Sequence, residues 1–172
     1  LTPKSIGEVQ HLEMLCENFK PEGEIFDNFL MNTVIPYVEN NFPVCTDRQN
    51  VAVCGSSSGG LMSFFSAFEH PEKFGYAGVF SPAFLCYTRE DWAKYLSTKI
   101  VENMPYLYIY TGNGDELEEM IFESTEMLYE LLEESFYPYD RMNEVILFEN
   151  AHNEKSWREI FPDFLHTFLS RL

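Results

Sequence analysis

The sequence predicts an α/β fold built on a mainly parallel sheet with helices on both faces. Two observations carry that reading. Four short runs are rich in β-branched or aromatic residues and apolar on both faces, as strands buried between two helical layers must be. Longer segments with helical spacing separate them, and such alternation is the mark of βαβ units. Of the 172 residues, 45% are hydrophobic, enough for one core and too few residues for a second full domain. Taken in order, Leu1 to Gly23 is the least patterned part and reads as a loop covering something. A helix is expected over Ile25 to Asn41, a strand over Asn50 to Cys54, a helix over Gly60 to His70 and a strand over Tyr76 to Ser81. A helix over Arg89 to Ile100 then leads to a strand over Tyr106 to Tyr110. In the helix expected over Glu116 to Phe136, Leu117, Met120, Ile121, Leu128, Leu131 and Leu132 share one face and glutamates occupy the other. A strand over Glu144 to Phe148 and a helix over Ser156 to Leu172 complete the pattern.

Eleven Lys and Arg against 28 Asp and Glu leave a formal charge of −17, a field that repels phosphate backbones and anionic lipid surfaces. Nucleic acid and membrane are therefore not expected as partners, and no apolar stretch is long enough for a spanning helix. No Lys or Arg stands between Ile100 and Asp140, so the helix there presents a solvated acidic face. Cys16, Cys45, Cys54 and Cys86 show no CxxC spacing and no grouping with histidine, which argues against a zinc site or redox pair. Each reads as a buried thiol, with a Cys16 to Cys45 disulfide the alternative. No cofactor or metal is expected. The opening LTPKSIGEVQ has no basic segment followed by an apolar one, and the chain starts at Leu1 rather than Met. A processed or truncated start is expected, which leaves a secreted and a cytoplasmic location both open.

The stretch that carries chemistry is Val51-Ala52-Val53-Cys54-Gly55-Ser56-Ser57-Ser58-Gly59-Gly60, a strand running through G-x-S-x-G into a helix. A turn tight enough to expose one serine hydroxyl strains the backbone at Ser57 and leaves no room for side chains two residues away, hence glycine at 55 and 59. The new helix aims its amides and dipole at the place where an oxyanion would form, with Ser58 N–H as the expected donor. Three fixed positions arise by chance in roughly one chain in twenty of this length, so the strand-to-helix context is what makes the motif informative.

A serine nucleophile needs a base and an orienting carboxylate, which in this arrangement follow in the order Ser, Asp or Glu, His. His11 and His70 fall too early or on the wrong element, and His166 lies among Phe164, Leu165 and Phe168 of a helical pattern. His152, in the loop after the last strand, is the candidate base, because functional side chains gather at the carboxyl edge of a parallel sheet. The carboxylate should follow the preceding strand. There Thr111-Gly112-Asn113-Gly114-Asp115-Glu116 ends in acids, with Asp115 the first choice and Glu116 or Glu118 the alternatives, since Asp115 is also a natural helix cap.

These residues resemble the esterase D-like branch of the α/β-hydrolases, which includes carbohydrate esterase family 1. The landmarks are FLMNTVIPYVENNFPVCTDRQNVAVCGSSSGGLMSFFSAFEHPEKFGYAGVFSPAF, YLYIYTGNGDE and ENAHNEKSWREIFPDFLHTFL. The resemblance implies a serine carboxylesterase working through an acyl-enzyme, with Ser57 as nucleophile, His152 as base and then acid, Asp115 as orienter and Ser58 N–H as half of the oxyanion hole. Ser58 departs from the branch, which often has Met or Leu there. It also implies that this chain is the C-terminal part of a larger single domain. The first strands and the second oxyanion donor would then precede Leu1, and one edge of the visible sheet should be open. Members of the branch cleave feruloyl or acetyl groups from plant xylan, hydrolyse siderophores or S-formylglutathione, or transfer acyl groups. Phe80, Phe84, Tyr87 and Trp92 suit an aromatic acyl group stacking after the second strand, so a feruloyl or acetyl ester of cell-wall polysaccharide is the expected substrate. The alternatives are the other reactions of the branch, or a non-catalytic binding domain with the same fold.

Overall fold

The structure, a computed structural model, describes residues 2–11, 20–99 and 103–171. Four strands, β1 (Ala52–Ser56), β2 (Tyr76–Phe80), β3 (Tyr106–Thr111) and β4 (Met142–Ile146), form one sheet in the order β1-β2-β3-β4, parallel throughout. The helices are α1 (Gly23–Phe29), α2 (Ile35–Asn41), α3 (Ser58–Glu69), α4 (Arg89–Lys99), α5 (Glu116–Glu134) and α6 (Glu154–Leu169). The expected α/β architecture is therefore present. The helix expected over Ile25 to Asn41 is interrupted by a π-helical turn, Leu30–Val34, just before Pro36. Proline has no amide to close the regular ladder, and the wider turn absorbs the break.

Successive right-handed crossovers in one direction stack their helices on one face. Leu61, Phe64 and Phe68 of α3, Trp92 and Leu96 of α4, and Leu128 and Leu132 of α5 accordingly share one core with Val79, Leu107 and Ile109. Strand alternation sends Tyr106, Tyr108 and Tyr110 to the opposite face, where Phe80 and Ile160 and Phe164 of α6 join them. Phe84, Tyr87 and Trp92 are buried in the first core and Phe80 in the second. That corrects the expectation of an aromatic platform: Phe84 and Trp92 pack edge to face 5.2 Å apart, and their rings are consumed by the fold.

Burial on both faces holds for β2 and β3 but not for the outer strands, which are only partly covered. β4 begins two residues earlier than expected, because Met142 pairs with Leu107 and the register closes at Thr111 with Ile146. Leu147 and Phe148, which prolong the apolar run in sequence, stand on the surface. On the other side β1 pairs with β2 alone among the described residues. Cys54 of β1 and Cys45 are exposed rather than buried, and Cys86 is buried as expected. Cys16 lies outside the described residues. On the acidic face of α5, Arg89 forks to Glu130 and Glu134 at 3.0 and 2.8 Å. No helix among the described residues is long and apolar enough to cross a membrane.

Candidate active site

The turn from β1 into α3 places Ser57 at φ 57°, ψ −124°, a conformation that costs an L-residue about 1–3 kcal/mol. The fold holds it there from three directions. Ser57 N–H donates to Phe80 O at 2.9 Å, while its carbonyl accepts from Leu61 N at 3.1 Å and Ala83 N at 3.2 Å. A Cβ on Gly55 would sit 2.6 Å from Gly59 O, so the first glycine of the motif is required, as expected. The second is not. A Cβ on Gly59 would meet nothing within 4 Å, whereas one on Gly60 would lie 2.8 Å from Phe80 O, so the steric demand falls one residue later than the motif suggests. Gly60→Ala is expected to lower stability by about 1–3 kcal/mol in urea unfolding. Gly59→Ala, in the first turn of a helix, should leave the midpoint unchanged or raise it.

His152 follows β4 in a loop fastened to the one after β3. Gly114 N–H donates to Asn150 O at 2.8 Å, Glu149 N–H to Asn113 Oδ1 at 3.0 Å, and Asn150 Nδ2 to the Tyr110 hydroxyl at 3.1 Å. The two loops pack so closely that a Cβ on Gly112 would lie 2.2 Å from Asn150 O. This brings His152 Nε2 to 3.0 Å from Ser57 Oγ. The imidazole and the Trp157 indole pack edge to face, ring centroids 5.1 Å apart and planes perpendicular.

The carboxylate on the other imidazole nitrogen belongs to Glu118. Its Oε2 lies 2.7 Å from His152 Nδ1, and its side chain is 0% exposed. Its Oε1 accepts from Ser81 Oγ at 2.6 Å and Gly112 N–H at 2.8 Å, and Ser81 Oγ in turn accepts from Trp157 Nε1 at 2.9 Å. Asp115, the first choice from sequence, does not reach the ring. It is the N-cap of α5: Oδ1 accepts from Glu118 N–H and Oδ2 from the backbone N–H of His152, both at 2.8 Å. These amides, that of Glu118 foremost, hold its carboxyl below the usual aspartate range. Asp115 thus fixes where α5 begins and where the His152 loop sits, and the side chain one helical turn on makes the contact. Glu116 is exposed.

Ser58 is the first residue of α3, so its amide belongs to the helix end that leaves backbone donors without intrahelical partners. The other histidines are elsewhere. His70, at the end of α3, contacts Asp27 Oδ2 at 2.7 Å, and Asp27 also accepts from Ser66 Oγ at 2.6 Å, which ties α1 to α3. His166 is exposed on α6, and His11 is exposed in the N-terminal segment. Among the described residues no three His, Cys, Asp or Glu side chains gather as a metal site. The arrangement can activate a serine hydroxyl: a base in hydrogen-bond reach of Oγ, a buried carboxylate behind the base, and a helix N-terminus beside the reacting position.

Comparison with known proteins gives a consistent picture. The family model described as "Putative esterase" matches residues 13–168. A curated relative, an endo-1,4-beta-xylanase/feruloyl esterase of Xylanibacter ruminicola, is 32% identical over 107 residues, which are 62% of this chain and 13% of that protein. Among solved structures, an enterochelin esterase from Shigella flexneri superposes with a TM-score of 0.70 at 19% identity, covering 83% of this chain and 36% of that one. A CE1 ferulic acid esterase from Anaeromyces mucronatus, solved with ferulic acid, gives a TM-score of 0.63 at 18% identity over 86% of this chain and 56% of that one. At such identities the two structures show the shared fold alone, which is that of the α/β-hydrolase esterases. The chain spans well under two thirds of each of these three proteins.

Proposed function

Since the chain belongs to the esterase family whose model spans residues 13–168, we propose that it acts as a serine carboxylic ester hydrolase through an acyl-enzyme. The observation that carries this is the unbroken line from Ser57 Oγ through His152 to Glu118, with contacts of 3.0 and 2.7 Å. Ser57 Oγ attacks the ester carbonyl as its proton passes to His152 Nε2, and Glu118 faces the imidazolium at Nδ1 without taking the proton. The oxyanion of the tetrahedral intermediate is met by Ser58 N–H and the positive end of α3. Collapse expels the alcohol, which takes the proton back from His152. Water, deprotonated by the same nitrogen, then attacks the acyl-enzyme, releasing the acid and restoring the Ser57 hydroxyl. The orienting role that sequence assigned to Asp115 passes to Glu118 on this reading, and Asp115 becomes the brace of the loop.

The substrate we propose is a feruloyl or acetyl ester of plant cell-wall polysaccharide. Two observations support it over a siderophore ester. The curated relative with 32% identity is a xylanase/feruloyl esterase, and a net charge of −17 opposes an anionic siderophore complex while tolerating a neutral glycan. Turnover of methyl ferulate, acetylated xylan and a catecholate siderophore ester by the intact protein tests this. Hydrolysis of either of the first two, with little of the third, is expected. Preference for the catecholate would overturn the substrate, and silence on all three together with no labelling by a fluorophosphonate would overturn the enzyme.

A further inference from the structure

We infer that Ser81 and Trp157 are positioning residues that hold Glu118 as the hydrogen-bond acceptor His152 needs, an assignment that rests on the reading of Ser57, His152 and Glu118 as the reacting group. The first observation is conformational. Ser81 follows β2 with φ 40°, in the left-handed region where glycine is at ease and serine is not. What the hydroxyl does at this strained position is read from its hydrogen bonds.

The second observation is the direction of the hydrogen bonds. Indole N–H can only donate, so Trp157 Nε1 takes up an acceptor lone pair of Ser81 Oγ at 2.9 Å. A hydroxyl has one hydrogen, and the remaining partner of Ser81 Oγ is Glu118 Oε1 at 2.6 Å, so the Ser81 proton points at the carboxylate. Gly112 N–H points at the same oxygen from 2.8 Å. A carboxylate can only accept, so with Oε1 turned to its two donors the lone pairs of Oε2 face His152 Nδ1, and Nδ1 supplies the hydrogen in that 2.7 Å contact. His152 Nε2 is then left as the acceptor that faces the Ser57 hydroxyl. Trp157 Nε1–H, three hydrogen bonds from His152 Nδ1, fixes the direction of the Ser81 hydroxyl and so keeps a donor on Oε1. Trp157 also packs edge to face with the imidazole, so it touches both ends of the Glu118–His152 pair.

The decisive variant is Ser81→Gly, because it removes the hydroxyl while relieving the backbone. If Ser81 were merely structural, the glycine protein would be as active as the parent or more so. We expect instead that kcat falls on the order of 10- to 100-fold, as loss of a hydrogen bond to a charged group would give, with KM within about twofold and a cooperative urea transition retained. The pH profile of kcat/KM should shift as well, because the carboxylate that faces His152 has one donor fewer. Trp157→Phe, which keeps a ring edge but loses the N–H, should show the same shift more weakly and add little to Ser81→Gly. The far-downfield proton NMR signal of His152 Nδ1–H should move in both variants, and it needs no turnover to be read. If the signal moves but the parent shows no Ser57-dependent hydrolysis, the esterase reading falls and the positioning stands. If the parent hydrolyses esters and Ser81→Gly leaves kcat, pH profile and signal unchanged, the positioning is overturned.

Discussion

Ser57→Ala is expected to reduce kcat by about 10⁴-fold or more, with KM within a few fold of the parent, because the substitution removes the attacking atom and leaves the surface that binds substrate. Residual hydrolysis would come from the oxyanion site and from binding alone. Loss of fluorophosphonate labelling should accompany it, and retained turnover would place the chemistry elsewhere. The backbone supplies a second arm. Because Ser57 sits at φ 57°, ψ −124°, where any side chain is strained, Ser57→Gly should be just as inactive but more stable than Ser57→Ala, by about 1 kcal/mol in urea unfolding. A site in which the inactive glycine variant is the sturdier protein holds its serine by force of the hydrogen bonds that Ser57 N–H gives to Phe80 O and that its carbonyl takes from the Leu61 and Ala83 amides.

The second large effect separates the two acids at the start of α5. In Glu118→Gln the amide oxygen must face the donors of Ser81 and Gly112, which turns the NH2 group towards His152 Nδ1. Nδ1 then has to accept, Nε2 carries the hydrogen, and the base faces Ser57 in the wrong tautomer. A loss of about 10³- to 10⁴-fold in kcat is expected, with little change in fold. Asp115→Ala removes a helix cap and the tether to the His152 amide. It should lower stability by about 1 kcal/mol and kcat only several-fold. The opposite ranking in the two kinetic assays would return the orienting role to Asp115.

That pair also shows how far a sequence can be read. The sheet, its helices, the elbow and His152 were legible because each leaves a local mark: an apolar run, a period, a glycine pattern, a position after the last strand. The choice between Asp115 and Glu118 was not, because Asp115 satisfies the local rule for a cap so well that it stands where the carboxylate was sought. A usable signal was nonetheless present. Glu118, Ile121, Thr125, Leu128 and Leu132 lie three or four apart, so Glu118 falls in the buried stripe of an otherwise cleanly sided helix. A carboxylate in that register has to have a partner, since burying it alone is too costly. Ser81 escaped notice for a different reason. Its φ is dictated by the crossing of the chain over the end of the sheet, and nothing in SPAF announces that. The aromatic platform failed because Phe84, Tyr87 and Trp92 carry no mark that separates a core ring from a surface one.

The strand order has a consequence for how the molecule comes together in time. Each strand lies beside its neighbour in the sequence, so the sheet can grow by short-range steps, one βαβ unit after another. The contact between Ser57 and His152 instead joins residues 95 positions apart. It joins the turn after β1 to the loop after β4, so it needs both outer strands of this sheet and the loop that leads into α6. These four strands can therefore pair while Ser57 and His152 are still apart, so that the contact between the two side chains reports the docking of the last loop rather than the pairing of the strands.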